Sequence, residues 1–205
     1  MSFLAARFYD RFMANVENAC LREWRRELLG QIEGVVLEIG AGTGANIECY
    51  SDRVTRLVLA EPDRHMRKRL EKQASRYDHV HVSGGTAEAT EADDESFDHV
   101  VTSLVCCSIR DLSVGLREFR RVLKPGGSLV FLEHVAAADG TSRRLWQNRI
   151  NPVWRALMGG CHLNRDTEQA MLAAGFEITR IKRENMCKAP TFVQPTIRGI
   201  ARKSG

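Results

Sequence analysis

The stretch VVLEIGAGTGANI, residues 35–47, decides the fold. An apolar run broken only by Glu38 has the length of a buried strand, and it leads straight into Gly40, Gly42 and Gly44. Glycines there let the backbone turn tightly and approach a ligand with no Cβ in the way. A helical segment after such a loop offers free N–H groups at its start. The same rhythm continues downstream, with strands at RLVLAE (56–61), HVHVS (79–83), FDHVVTSLV (97–105) and SLVFLEHV (128–135). Between them, Pro62 opens a helix carrying Met66 and Leu70. Asp111 caps another, on which Leu112, Leu116, Phe119 and Leu123 recur at helical spacing until KPGG (124–127) ends it. Strands this apolar, alternating with helices, form a parallel sheet covered on both faces. Upstream, residues 1–33 read as helix, with Leu21, Trp24, Leu28 and Ile32 on one face and Arg22, Arg25 and Arg26 on a solvated one. Downstream, a helix kinked or broken at Pro152 precedes a helix capped by Asn164 and ended by Gly175. Strands at 176–183 and about 192–203 follow, the last antiparallel. The 205 residues make one domain: a helical segment 1–33, a ligand-binding core 34–135 and an acceptor-side region 136–205.

Hydrophobic residues are 43% of the chain and charged residues 27%, which excludes fibrous and disordered classes. The formal net charge of +4 is too weak to imply nucleic-acid binding. It favours anionic small molecules or a weak membrane-surface contact through the basic N-terminal helix. No apolar run reaches the ~20 residues of a membrane span, and the opening lacks a secretory core. The six cysteines form no CxxC pair and no Cys/His zinc spacing, so no metal site is expected. They read as reduced thiols of a cytoplasmic protein, with Cys106 and Cys107 as small apolar residues at a buried strand end. Nothing in the sequence specifies an oligomeric state.

Glu61 stands at the tip of the second strand, about 20 residues after Gly40, where an acid accepts hydrogen bonds from both hydroxyls of a ribose. Dinucleotide sites read GxGxxG and rest a pyrophosphate on a helix N-terminus. Here the order is ExGxGxG, and Glu38 is ill placed beside a diphosphate but suits an ammonium group. Adenosine, a sulfonium and a zwitterionic amino-acid tail are combined in S-adenosylmethionine (SAM).

LEIGAGTG, AEPD, SFDHVV and LKPGG, in this order, resemble the class I SAM-dependent methyltransferases, in the branch that includes quinone and sterol enzymes. The resemblance covers about residues 35–135. It implies an α/β, Rossmann-like fold with a seven-stranded, mostly parallel sheet of order 3-2-1-4-5-7-6 and helices on both faces. By the family pattern Glu38, Gly40, Gly42 and Gly44 cradle the methionine end of SAM and Glu61 holds its ribose. Thr86, Ala87 and Glu88 flank the adenine, and Ser103 and Leu104 close the pocket. Many relatives have Asp where this chain has Thr86, so the adenine contact moves to Glu88, backbone or water. Further along, LVCCSIRD, LEHVAA, WQNRINPVW and GGCHLNRDTEQAM are similar to the alkyl-thiol methyltransferase branch of the methyltransferase-like family. Its animal members carry an N-terminal membrane anchor, to which nothing here compares.

The partner implied is a small lipophilic acceptor, most simply the sulfur of an alkyl or aryl thiol. In an open α/β sheet it meets the cofactor at the carboxyl ends of the strands. Glu133 and His134 end the fifth strand there. His134 is a candidate to take the thiol proton or stabilise the thiolate, with Glu133 orienting it and His162 as a second candidate. Trp146, Trp154 and Met158, with Phe8, Tyr9 and Phe12, form a candidate apolar lid. Alternatives are a phospholipid or quinone methyltransferase and a non-catalytic SAM-binding subunit. Arsenite methylation would need three converging thiolates.

Overall fold

The computed structural model describes residues 15–204, which form a seven-stranded sheet of order β3-β2-β1-β4-β5-β7-β6. The strands are β1 (Gly34–Ile39), β2 (Val54–Ala60), β3 (Val80–Ser83), β4 (Phe97–Ser103), β5 (Leu123–His134), β6 (Phe176–Asn185) and β7 (Pro195–Lys203). The first five are parallel to one another; β7 runs antiparallel between β5 and β6. The expected order and the antiparallel strand are therefore both present. β5 starts earlier than expected, because Leu123 already pairs with Phe97 before the register shifts around the KPGG stretch.

Period-two alternation divides the core between the two faces. Val36, Leu57, Val101, Val130 and Leu132 pack under α1 (Arg22–Leu29) and α2 (Arg64–Ala74), reached by Trp24, Leu28 and Leu70. Leu37, Val100, Leu129 and Phe131 face the other way, under α3 (Leu112–Val122) and α5 (Thr167–Ala173), meeting Leu116, Phe119 and Met171. Phe119 and Phe131 are fully buried, each contributing about 1.5–3 kcal/mol by removal from water. Caps set the helix starts: Asp63 for α2 and Asp111 for α3, the latter accepting from the N–H groups of Ser113 and Val114. For α5 the cap is Asp166 rather than Asn164, since its carboxylate reaches Gln169 N at 3.0 Å.

The segment around Pro152 is one helix, α4 (Ser142–Leu157), not two. Proline removes one backbone donor, but side chains just ahead of it tie the helix down. Gln147, wholly buried, donates to the carbonyls of Val135 and Phe192, and Asn151 accepts from Leu163 N. The opposite side of α4 leaves Leu145, Trp146, Val153 and Leu157 exposed. Among the described residues no helix is long and apolar enough to cross a membrane. A π-helical turn, Glu17–Leu21, leads into α1. Arg25 corrects the solvated-face expectation: it is only 6% exposed and pairs with Glu17 at 3.3 Å, whereas Arg22 and Arg26 are exposed.

Candidate active site

The glycine loop leaves β1 with Gly40, Gly42 and Gly44 all at positive φ, which favours glycine. A Cβ at Gly40 would stand 2.1 Å from Val105 Cγ2, so the loop and the segment after β4 approach each other through that missing atom. At Gly42 a Cβ would meet nothing, and this face of the loop is open. Glu61 fastens the loop: one carboxylate oxygen accepts from Gly42 N and the other from Asp63 N, both at 2.8 Å. Each oxygen keeps a further lone pair for a ligand hydroxyl. Burial pushes the Glu61 carboxyl above its usual range, opposed by those two backbone N–H groups.

Glu38, also buried, accepts from Asn46 Nδ2 at 2.8 Å and from the Tyr50 hydroxyl at 2.6 Å. Burial raises its pKa, with Tyr50 and Asn46 opposing. Asn46 and Tyr50 were not singled out from the sequence; a polar residue on the turn after a glycine loop was the available signal. Asn46 Oδ1, Ser103 Oγ and Arg25 Nε are buried without hydrogen-bond partners. All three residues line one narrow cavity beside Thr102 and Leu132. An acceptor, a hydroxyl and a guanidinium N–H are thus left unmet beside the glycine loop, where buried polar atoms are otherwise paired. The residues present thus fit SAM: Glu61 for the ribose, and Glu38, Asn46, Ser103 and Arg25 for the methionine end.

The loop after β3 carries the other cofactor candidates. Thr86 is exposed and bridges to Ala89, Ala87 is buried, and Glu88 accepts from Asp111 N at 3.2 Å. Leu104, just after β4, has φ +59, an uncommon conformation for a residue with a side chain. It is held by its N–H donating to Leu132 O at 2.8 Å.

Glu133 and His134, adjacent on β5, do different work. Glu133 is fully buried and accepts from Val105 N at 3.3 Å and Cys106 N at 3.1 Å. Burial raises its pKa, and the Cys106 N–H and Thr102 oppose. This corrects the expectation that it orients His134: successive strand residues point to opposite faces, and Glu133 instead clamps the segment after β4. His134 is 4% exposed, and its Nε2 lies 3.1 Å from Cys161 Sγ. That sulfur also accepts from Trp154 Nε1 at 3.3 Å. Hydrogen bonding with Cys107 and burial push the Cys161 thiol upward, and His134 pulls it back. His162 is half-buried, and its N–H donates to Cys107 O at 2.8 Å. Arg165 Nη1 donates to Cys106 O at 2.5 Å and Ile109 O at 2.7 Å, bracing the same segment.

Of the proposed lid, Trp154 touches the site and stacks edge-on against Phe192, with 5.4 Å between ring centroids. Trp146 is 60% exposed, and Phe8, Tyr9 and Phe12 lie outside the described residues. A wider polar groove lined by Ala137, Arg144, Asp166, Arg183 and Thr196 contains none of the candidate cofactor or acceptor residues.

A family model for a methyltransferase domain matches residues 37–131. The chain is 30% identical to the human thiol S-methyltransferase TMT1A over 98% of its own length and 88% of that protein's. It is 34% identical to human TMT1B, over 82% and 73%. The fold matches a geranyl diphosphate methyltransferase in complex with SAM at a TM-score of 0.74 and 13% identity, covering 95% and 89% of the two chains. The loop, the acid at the end of β2 and the strand order thus belong to a class I SAM-dependent methyltransferase. Within that class, the chain is a member of the family of TMT1A and TMT1B.

Proposed function

We propose that this protein transfers the methyl group of SAM to the sulfur of a small lipophilic alkyl or aryl thiol. One observation carries the reading. At the carboxyl end of β5, where acceptors meet cofactors in such sheets, the His134 imidazole already holds a sulfur at 3.1 Å. The relatives named thiol S-methyltransferases support it.

Bound SAM supplies a methyl carbon made electrophilic by its sulfonium. The chain's residues supply position and dryness. Glu61 and the glycine loop fix the adenosine, and Glu38, Asn46 and Arg25 fix the tail. The Gly40–Val105 approach and the Glu133 clamp fix the segment after β4 against the glycine loop, where it would wall the cofactor side. Trp154 and the buried His134 form the acceptor side, excluding water from an in-line displacement.

The test is an acceptor screen with SAM, reading S-adenosylhomocysteine and thioether. Alkyl and aryl thiols should turn over, and phosphatidylethanolamine and a demethylated quinol should not. Methylation of either of these with no thiol accepted would overturn the acceptor class and leave the cofactor in place. His134→Ala should lower thiol turnover while SAM affinity holds.

A further inference from the structure

Three groups from three separate sequence motifs meet beside the proposed acceptor position. Cys107 follows β4, His134 ends β5 and Cys161 follows α4, yet their ligating atoms lie within 4.8 Å of one another. We propose that Cys107, His134 and Cys161 form a three-ligand site for a thiophilic divalent cation, zinc in the first instance, whose open fourth position takes the acceptor thiolate. The acceptor half of this proposal rests on the thiol reading above.

Geometry supports it. With Zn–S near 2.3 Å and Zn–N near 2.0–2.1 Å, a tetrahedral centre sets sulfurs about 3.8 Å apart and sulfur and nitrogen about 3.5 Å apart. The His134–Cys161 distance of 3.1 Å opens to that value by a few tenths of an ångström. The widest pair closes by about an ångström. The ligand chemistry selects the ion: two thiols, an imidazole and no carboxylate disfavour magnesium and calcium. Two cysteines and a histidine leaving one position open are a known catalytic zinc arrangement.

Two neighbouring donors would support metal-bound thiolates. Trp154 Nε1–H already donates to Cys161 Sγ, the kind of outer hydrogen bond that orients a metal-bound ligand. The Arg165 guanidinium, braced on Cys106 O and Ile109 O, interacts electrostatically with Cys107 and Cys161. Among the described residues two cysteines, not three, converge here, so they do not form the three-thiolate set needed for arsenite methylation. The earlier expectation of no metal site rested on local spacing, which ligands on three separate segments do not show.

Metal ligation deprotonates a coordinating thiol outright. The acceptor sulfur gives its proton to solvent on taking the fourth position. It then forms its bond to the methyl carbon as the carbon–sulfonium bond breaks, the electron pair staying on S-adenosylhomocysteine. The neutral thioether is a poor ligand and leaves. A free thiol with a pKa near the cysteine value of about 8.5 is only a few per cent ionised at neutral pH, so loss of the metal should slow methylation of such a thiol by about 10- to 30-fold. An acidic thiophenol should be slowed far less.

The experiment adds cobalt(II) to metal-stripped full-length protein and follows the thiolate-to-cobalt absorption band. A stoichiometric band, displaced by zinc, shifted by an added alkyl thiol, lost in Cys107→Ser and Cys161→Ser and kept in Cys187→Ser, is the expected result. Absence of the band in the wild-type protein, which needs no variant to fold, overturns the site. So does a band unchanged in both serine variants. Stripped enzyme that methylates alkyl thiols at the undiminished rate overturns the metal's role and leaves the thiol reading standing. A thiol-sensitive band with no thiol methylated in any metal state removes the thiol reading and leaves the cation site.

Discussion

Glu61→Ala should weaken SAM binding by about 1.5–3 kcal/mol, the range for hydrogen bonds to a charged group, or roughly 10- to 150-fold in Kd. The figure follows from what its oxygens already do. Each accepts one backbone N–H, from Gly42 and from Asp63, and each has one lone pair left for a ribose hydroxyl. The substitution removes two backbone acceptors from the protein itself. It also removes a carboxylate that is only 5% exposed and costly to keep ionised. These effects oppose each other, so stability should change less than affinity. A pH series sharpens the test. Burial raises the Glu61 pKa, and ribose hydroxyls donate to the ionised form. Wild-type affinity should therefore fall on acidification before an ordinary glutamate would protonate, and the alanine variant should keep only the shallower part of that fall that Glu38 contributes. Titration calorimetry with S-adenosylhomocysteine, alongside circular dichroism to confirm folding, measures both. Equal affinity in a folded variant, or the same pH slope in both proteins, would refute the role of Glu61.

Tyr50→Phe removes a donor from the buried Glu38 carboxylate and should cost about 1.5–3 kcal/mol at neutral pH in urea denaturation. Because burial raises the Glu38 pKa, the deficit should shrink toward the ~0.5–1.5 kcal/mol of a neutral bond as the solution is acidified. Gly40→Ala places a methyl 2.1 Å from Val105 Cγ2 at φ +64 and should lower both the melting temperature and SAM affinity. Glu118 is held at about 2 by Arg121 first and Thr90 next. Its folded pKa is depressed, so its stabilisation is present above about 4.5 and disappears as pH falls to about 2. Glu118→Gln should therefore be less stable than wild type at neutral pH and converge with it at the acid end. Asp111→Ala should lower the denaturation midpoint by uncapping α3, read by the same denaturation.

The sheet was legible because each parallel strand is an apolar run with a turn or capping signal after it, and local pattern suffices for that. The last strand reads as antiparallel in the sequence, and the family resemblance supplied the strand order. The site was legible where chemistry follows the chain, from Glu38 through Gly44 to Glu61. It was not legible where separate segments meet. Arg25 looked solvated because arginine lies off the apolar stripe of α1, yet Glu17 and the cavity behind the glycine loop hold it inside. Glu133 and His134 look like a pair in sequence, and the pleat sends them apart. Cys107 and Cys161 carry no mutual spacing signal, since the sheet and α4 bring them together. Asn164 looked like a cap, but its side chain donates to Asn148 and Asp166 takes the position.

The place of β7 governs the order in which the sheet can be completed. β6 is made before β7 but touches the sheet only through it, because β7 lies between β5 and β6. During synthesis β1 to β5 can pair as they emerge, while β6 waits with both edges open. His134 faces Thr196 across the β5–β7 ladder, so the acceptor end of the site is finished only when β7 is inserted. A stop codon after Asn185 would thus remove one strand and strand a second, leaving β5 with an unpaired edge beside the site. Such a product should be captured by chaperones or aggregate, even with every residue of the glycine loop intact.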